Sequence, residues 1–217
     1  MFNFEFCNNK TITIDRSSFP ILLADIKAMS FYFKSNPTDT TQDDFIEDFI
    51  IPKIIFDWEK NTRYLLLDQT IKSFVPNIQY INSSTFELPL SALNVRVIGD
   101  VKSYPCDWNQ TDAKTILDVS NYYFTEEVST DPKKFKIKKG CLDLRLYPVT
   151  NNLEVEFEAG FEDNDFSTMD QEIKDCLSMQ GAIAIDVKNG FCDSYYSELI
   201  EEIYTKYTIK KELISFI

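Results

Sequence analysis

Hydrophobic positions along the chain follow a period near 3.6, then a period of two, then 3.6 again. From Pro20 to Phe33, the apolar residues Leu22, Ile26, Met29 and Phe33 predict a helix, with Ser18 placed to cap it and Pro20 in the tolerated first turn. Asn36-Pro37 ends it. A second helix is predicted from Thr40 or Thr41, with Asp43 and Asp44 in the first turn, where the helix dipole favours negative charge. Its stripe is Phe45, Ile46, Phe49, Ile50, Ile54 and Trp58, and it should stop near Asn61-Thr62. Pro52 lies within that stripe and removes a backbone donor, which predicts a kink.

Between Arg63 and Gly160 the apolar residues alternate. Phe135 and Ile137 alternate with Lys134, Lys136 and Lys138; Leu142, Leu144 and Leu146 with Asp143, Arg145 and Tyr147; Val155, Phe157 and Ala159 with Glu154, Glu156 and Glu158. These read as strands with one buried face, separated by the turn signals Asp131-Pro132, Lys139-Gly140 and Asn151-Asn152. Further strands are expected at Thr70–Val75, Phe86–Leu88, Val95–Tyr104 and Tyr122–Thr125, together an antiparallel sheet or small sandwich.

The helical period returns after Gly160. Thr168 and Gln171 have the spacing of a capping box, opening a helix whose core face reads Ile173, Leu177, Ala184 and Val187. Gly181 in its middle predicts close packing against another helix, or else a weak spot, and Asn189-Gly190 is a stop signal. A fourth helix from about Ser194 carries Tyr196, Leu199, Ile203 and Tyr207 on one side. Each helix pair is too small to bury its stripe alone, so the two pairs are expected to pack on each other. The fold class is therefore α+β: a small helical bundle from 1–62 and 162–217 with an antiparallel β domain inserted at 63–161. At the N-terminus Phe2, Phe4, Phe6, Ile12 and Ile14 alternate like a hairpin or an arm.

Composition removes whole classes of function. The 217 residues are 44% hydrophobic and 14% aromatic, too much buriable surface for a disordered chain. No apolar run approaches the roughly 20 residues a membrane-spanning helix needs, and Met1 to Lys10 has no signal-peptide pattern. A formal charge of −13 disfavours tight binding to phosphate backbones or anionic lipid. With no histidine, Ser-His-Asp and Cys-His catalysis and His-ligated metal sites are excluded. Cys7, Cys106, Cys141, Cys176 and Cys192 show no CxxC spacing and read as reduced thiols.

Several strings, in order, resemble the head–tail connector (neck adaptor, or ring) proteins of tailed bacteriophages. Asp43-Asp44-Phe45-Ile46, leading through Trp58-Glu59-Lys60-Asn61-Thr62-Arg63, is similar to that family's second helix and its exit into a strand. Phe86-Glu87-Leu88-Pro89-Leu90 followed by Val95 to Tyr104 resembles its strand pair, and Leu153 to Phe161 resembles a strand ending in Ala159-Gly160-Phe161. Ile173-Lys174 resembles the start of its third helix, without the usual proline. The resemblance covers about residues 20–207. It implies a structural protein of the virion neck, made in the bacterial cytoplasm, that forms a ring of usually twelve copies below the portal. Its partners would be itself, the portal, a tail or second ring protein, and DNA passing without tight binding. It implies no enzyme activity and no cofactor. A reading of another class stays open: a cytosolic binding module whose β domain recognises a peptide or glycan.

Candidate residues follow from charge and exposure. The tail residues Ile209, Leu213, Ile214, Phe216 and Ile217 are apolar to the chain end and would tuck back or insert into a partner. Lys133, Lys134, Lys136, Lys138 and Lys139 form a dense basic run, read either as a lysine-guarded edge strand or as a contact with an acidic neighbour or DNA. Glu154, Glu156, Glu158, Glu162, Asp163 and Asp165 are candidates to face a DNA channel, the alternative being solubility alone. Glu162 to Asp165 begins like a calcium loop, but Thr168 stands where the sharp-turn glycine belongs and Lys174 where the bidentate glutamate belongs. Asp43 and Asp44 read as dipole-complementing caps, not as a glycosidase pair.

Overall fold

The structure, a computed structural model, describes residues 8–78, 85–89, 94–105, 115–116, 122–124, 134–138, 151–191 and 196–208. The strand expected at Leu142–Leu146, the tail residues beyond Thr208, Phe2 to Phe6, and the cysteines other than Cys176 lie outside them. The chain divides into two units: one contains residues 8–14 and 68–160, the other Asp15–Leu67 and Phe161–Thr208.

The first unit is antiparallel β. Strands β1 (Asn8–Ile14), β2 (Gln69–Ile78), β4 (Val95–Pro105), β5 (Thr115–Ile116) and β8 (Asn151–Ala159) form a sheet in the order β1-β2-β8-β4-β5. Strands β3 (Thr85–Pro89), β6 (Tyr122–Phe124) and β7 (Lys134–Lys138) form a second, in the order β3-β7-β6. The alternation around Ile12 and Ile14 becomes an edge strand: β1 pairs antiparallel with β2, with a register shift between Thr11 and Thr13. In the larger sheet Ile71, Val101, Val155, Phe157 and Ala159 are buried, and Ile71 registers with Phe157 and Val101 with Val155. The alternate positions of β8 carry its glutamates.

The second unit is helical. The helix predicted from Pro20 to Phe33 is instead two, α1 (Leu23–Met29) and α2 (Phe31–Ser35), broken at Ser30. A distant carboxylate causes the break. Asp186, fully buried, accepts hydrogen bonds from the Ser30 hydroxyl at 2.6 Å and from the N–H groups of Phe31 and Tyr32, each at 2.9 Å. Those bonds replace intrahelical ones, and Leu22, expected in the stripe, is left exposed. Leu22, not Ser18, occupies the N-cap position, with Asp25 accepting from its N–H.

The second helix comprises α3 (Asp43–Phe45), a π-turn over Ile46–Ile50 and α4 (Ile51–Thr62). The helix continues past Pro52, which lies in the first turn of α4. The widened turn before it accommodates the proline ring and its missing N–H. Phe49, placed in the core stripe by periodicity, points outward instead. At the far end Arg63 takes a left-handed conformation, and Glu59 reaches past it to accept from the N–H groups of Leu66 and Leu67 at 2.7 and 3.0 Å.

Two short 3₁₀ turns, Glu162–Asn164 and Phe166–Thr168, lead into α5 (Gln171–Lys188). Asp170 caps α5 by accepting from the Glu172 N–H at 3.1 Å, so the Thr168–Gln171 capping box does not form; a side-chain acceptor one residue before the helix is better placed. Ile173 and Leu177 are buried as expected, while Val187 is exposed: in the last turn the covered side of α5 is the one carrying Ile185 and Asp186, both fully buried. Asn189 and Gly190, the latter at φ 81°, terminate the helix. Helix α6 (Ser197–Tyr207) buries Ile203 but not Leu199, and lays Tyr204 and Tyr207 on Trp58 of α4 at ring separations of 5.0 and 5.6 Å.

Candidate assembly interface

The acids singled out on β8 form a graded row rather than a bare one. Glu154 is only 7% exposed, and Glu158, four residues on, is exposed. Lys72 of β2 lies 3.3 Å from Glu154 and 3.5 Å from Glu156. Burial by itself would lower the Lys72 ammonium, but the two carboxylates outweigh it and hold its pKa above the ordinary lysine value. Arg96 of β4 bonds Asp68 at 2.5 Å and stands 4.0 Å from Glu158. Glu154 and Glu156 thus share Lys72 within the sheet, whereas Glu158 is exposed, with Arg96 only at the limit of ion-pair distance.

Glu162, Asp163 and Asp165 are exposed on the 3₁₀ turns, where Asp163 and Asn164 adopt positive φ. Asn164 is buried and donates to the Asp15 carbonyl at 3.4 Å, anchoring the loop within the helical unit. Asp165 accepts from the Ser167 N–H at 3.0 Å, which holds its carboxyl below the usual range. Among the described residues no group of three or more His, Cys, Asp or Glu is arranged to hold a metal ion. No described helix is long and apolar enough to cross a membrane.

Of the basic run, Lys134, Lys136 and Lys138 lie on β7, and Lys133 and Lys139 fall outside the described residues. The strand that carries them is not an edge. β7 is the central strand of its sheet, flanked by β3 and β6, with Lys136 in register with Glu87 on one side and Tyr123 on the other. Guarding an unpaired edge is therefore not what these lysines do. The tail candidates Ile209, Leu213, Ile214, Phe216 and Ile217 lie outside the described residues.

Periodicity missed the outward aromatics. Phe49 and Phe56 are 64% and 60% exposed. Phe45 stacks on Phe49 at 5.8 Å, and the Lys188 ammonium covers Phe45 at 3.6 Å. The sequence signal was Phe56 itself, seven residues after Phe49 and so on the same side of the helix, about 200° from Trp58.

No protein-family model matches the chain, and no curated protein is significantly similar to it. Solved structures do match in fold. A chain of the virion of a native gene transfer agent particle superposes with a TM-score of 0.61 at 10% identity, covering 92% of this chain and 94% of that one. A chain in the neck of an empty particle of this kind, computed with C6 symmetry, gives 0.61 at 10% identity over 93% and 95% of the two chains. A chain in the neck of the native particle, computed with C12 symmetry, gives 0.52 at 11% identity over 91% and 95%. Both units of this chain are thus spanned by a fold that occurs in the neck of gene transfer agent particles, which is consistent with the head–tail connector resemblance of its sequence.

Proposed function

We propose that this protein is a neck component of a phage-like particle: a head–tail connector that forms a ring, of twelve copies, below the portal and extends the DNA channel towards the tail. The observation carrying this reading is the fold likeness over 91% and 95% of the two chains to a neck computed with C12 symmetry. The role is structural, exerted by shape and assembly. Lysines of β7 and its flanks would meet an acidic neighbour. Glu156, Glu158, Glu162, Asp163 and Asp165 would keep the DNA path repulsive, with Glu154 supporting them from inside the sheet. The residues from Ile209 to Ile217 would insert into the adjoining ring or tail protein.

Electron microscopy and native mass spectrometry of the protein, alone and with its portal, test this. Twelve copies of a 25.3 kDa chain should appear as a ring of roughly 300 kDa. A protein that stays monomeric at high concentration and never decorates portal would overturn it. Deleting residues 209–217 should leave the ring intact and abolish attachment of the next component; unfolding of the truncated chain would instead assign those residues to its own core.

A further inference from the structure

We infer that neighbouring copies in the ring meet through two ridges of the helical unit, Phe49, Lys53, Phe56 and Lys60 on one copy against Glu198, Leu199 and Glu202 on the next. The inference rests on the ring reading above and names the surfaces that would build it.

The first ridge has spacings of four, three and four residues, which bring its members onto one stripe of a helix. Phe49 is 64% exposed, Phe56 60%, and the Lys53 side chain 70%. Trp58 is two residues beyond Phe56 and so about 200° around the helix. It is fully buried against Tyr204 and Tyr207 of α6. The Phe-Lys ridge therefore faces away from α6.

The same reasoning orients α6. Tyr204 faces Trp58, and Glu202, two residues earlier, points about 200° away from it. Glu198, Leu199 and Glu202 are exposed on that outer side. Lys206, which shares it, is engaged by Glu172 of α5, leaving the two glutamates as the charges offered to a neighbour.

The α4–α6 pair thus presents an aromatic-basic ridge on one side and an aliphatic-acidic ridge on the other. A closed ring needs that arrangement, because each contact joins two different patches on opposite sides of the subunit. Self-pairing of the first ridge would bring Lys53 and Lys60 against their own copies, which like-charge repulsion disfavours. In a chain of charge −13, contact between copies needs locally segregated sign. Lys53 is bonded to Asp57 at 2.7 Å within α4, so Lys60 carries much of the net positive charge and the phenylalanines much of the apolar area.

The experiment compares ring formation by the full-length protein, alone and on its portal, for wild type, Phe56→Glu, the double variant Lys53→Glu/Lys60→Glu, and a quadruple variant adding Glu198→Lys/Glu202→Lys. At a concentration where the wild type is mostly ring, Phe56→Glu and the lysine double variant should lower the ring fraction by about tenfold or more. The quadruple variant, with both ridges reversed in sign, should restore it. Rings formed as well by the lysine double variant as by wild type, with unchanged melting, would overturn the inference while leaving the ring reading standing. That variant decides the matter if Phe56→Glu lowers the melting temperature. A wild type that forms no ring under either condition would remove the ring reading itself, and this inference with it.

Discussion

Gly181 of α5 lies directly against Ile26 of α1: a β-carbon placed on it would stand 2.6 Å from Cδ1 and 2.8 Å from Cγ1 of that isoleucine. Both residues are buried, so the contact sets how closely the two helices approach. Sequence left two readings of this glycine, close packing or weakness, and the structure selects the first.

Gly181→Ala should therefore destabilise. Overpacking costs about 1–3 kcal/mol, and the helix-propensity gain of about 1 kcal/mol offsets only part of it. Adding Ile26→Val, which removes the nearest methyl, should recover much of the loss. A double-mutant cycle by urea denaturation measures this, and additive effects would refute the contact as the cause.

Asp186→Ala should cost roughly 3 kcal/mol, because it strands the Phe31 and Tyr32 N–H groups that the carboxylate accepts from. Ser30→Ala removes one bond to the same carboxylate and should cost less, about 1–2 kcal/mol. Equal losses in thermal or chemical unfolding would show that the break between α1 and α2 does not depend on these N–H groups.

Stability should fall in acid. The Tyr207 hydroxyl, donating at 2.5 Å, and the Glu172 N–H both hold the Asp170 carboxyl below its ordinary value of 3.8. A depressed folded pKa contributes stability that is present above 3.8 and lost as pH falls through the lower folded value. Melting temperature followed from neutral pH down through this range should drop, and Asp170→Asn should flatten the curve.

The alkaline limb has the opposite sign. Burial pushes the Tyr204 hydroxyl from 10.0 up to about 12. Its contribution is complete below pH 10 and disappears as pH rises towards 12, because ionising the buried phenol is easier in the unfolded chain. Phenolate absorbance should show a tyrosine titrating late and together with unfolding; Tyr204→Phe should remove that component.

On β8 the response to charge reversal should depend on depth. Glu158→Lys should cost about 1 kcal/mol or less, since the site is exposed and Arg96, 4.0 Å away, keeps its bond to Asp68. Glu154→Lys should destabilise strongly, because it places a second ammonium beside Lys72 at a position 7% exposed. Equal melting temperatures would contradict the graded row. The DNA-passage reading is accordingly best tested at Glu158, Glu162, Asp163 and Asp165, where reversal should slow ejection most at low salt.

What the sequence determined by itself is the inventory of local structure. Periodicity placed the second helix, α5, α6 and the strands β2, β4, β7 and β8, because the spacing of apolar residues decides which backbone geometry gives one continuous buried face. It also marked the stop at Asn189-Gly190, and it singled out Gly181 as either a close approach or a weak spot. The fold likeness to neck chains agrees with its ordered connector-like strings, although no family model matches. Only the tertiary structure decided which parts of each face are covered. The break at Ser30 depends on a carboxylate 156 residues away. Phe49, Val187 and Leu199 fit their stripes yet lie outside the cover supplied by neighbouring elements. Of the two readings of the lysines of β7, the guarded edge is removed only by β3 and β6 on either side. A helical or strand period specifies direction around one element, but burial also depends on where the neighbouring element ends, and that is set by contacts distant in sequence.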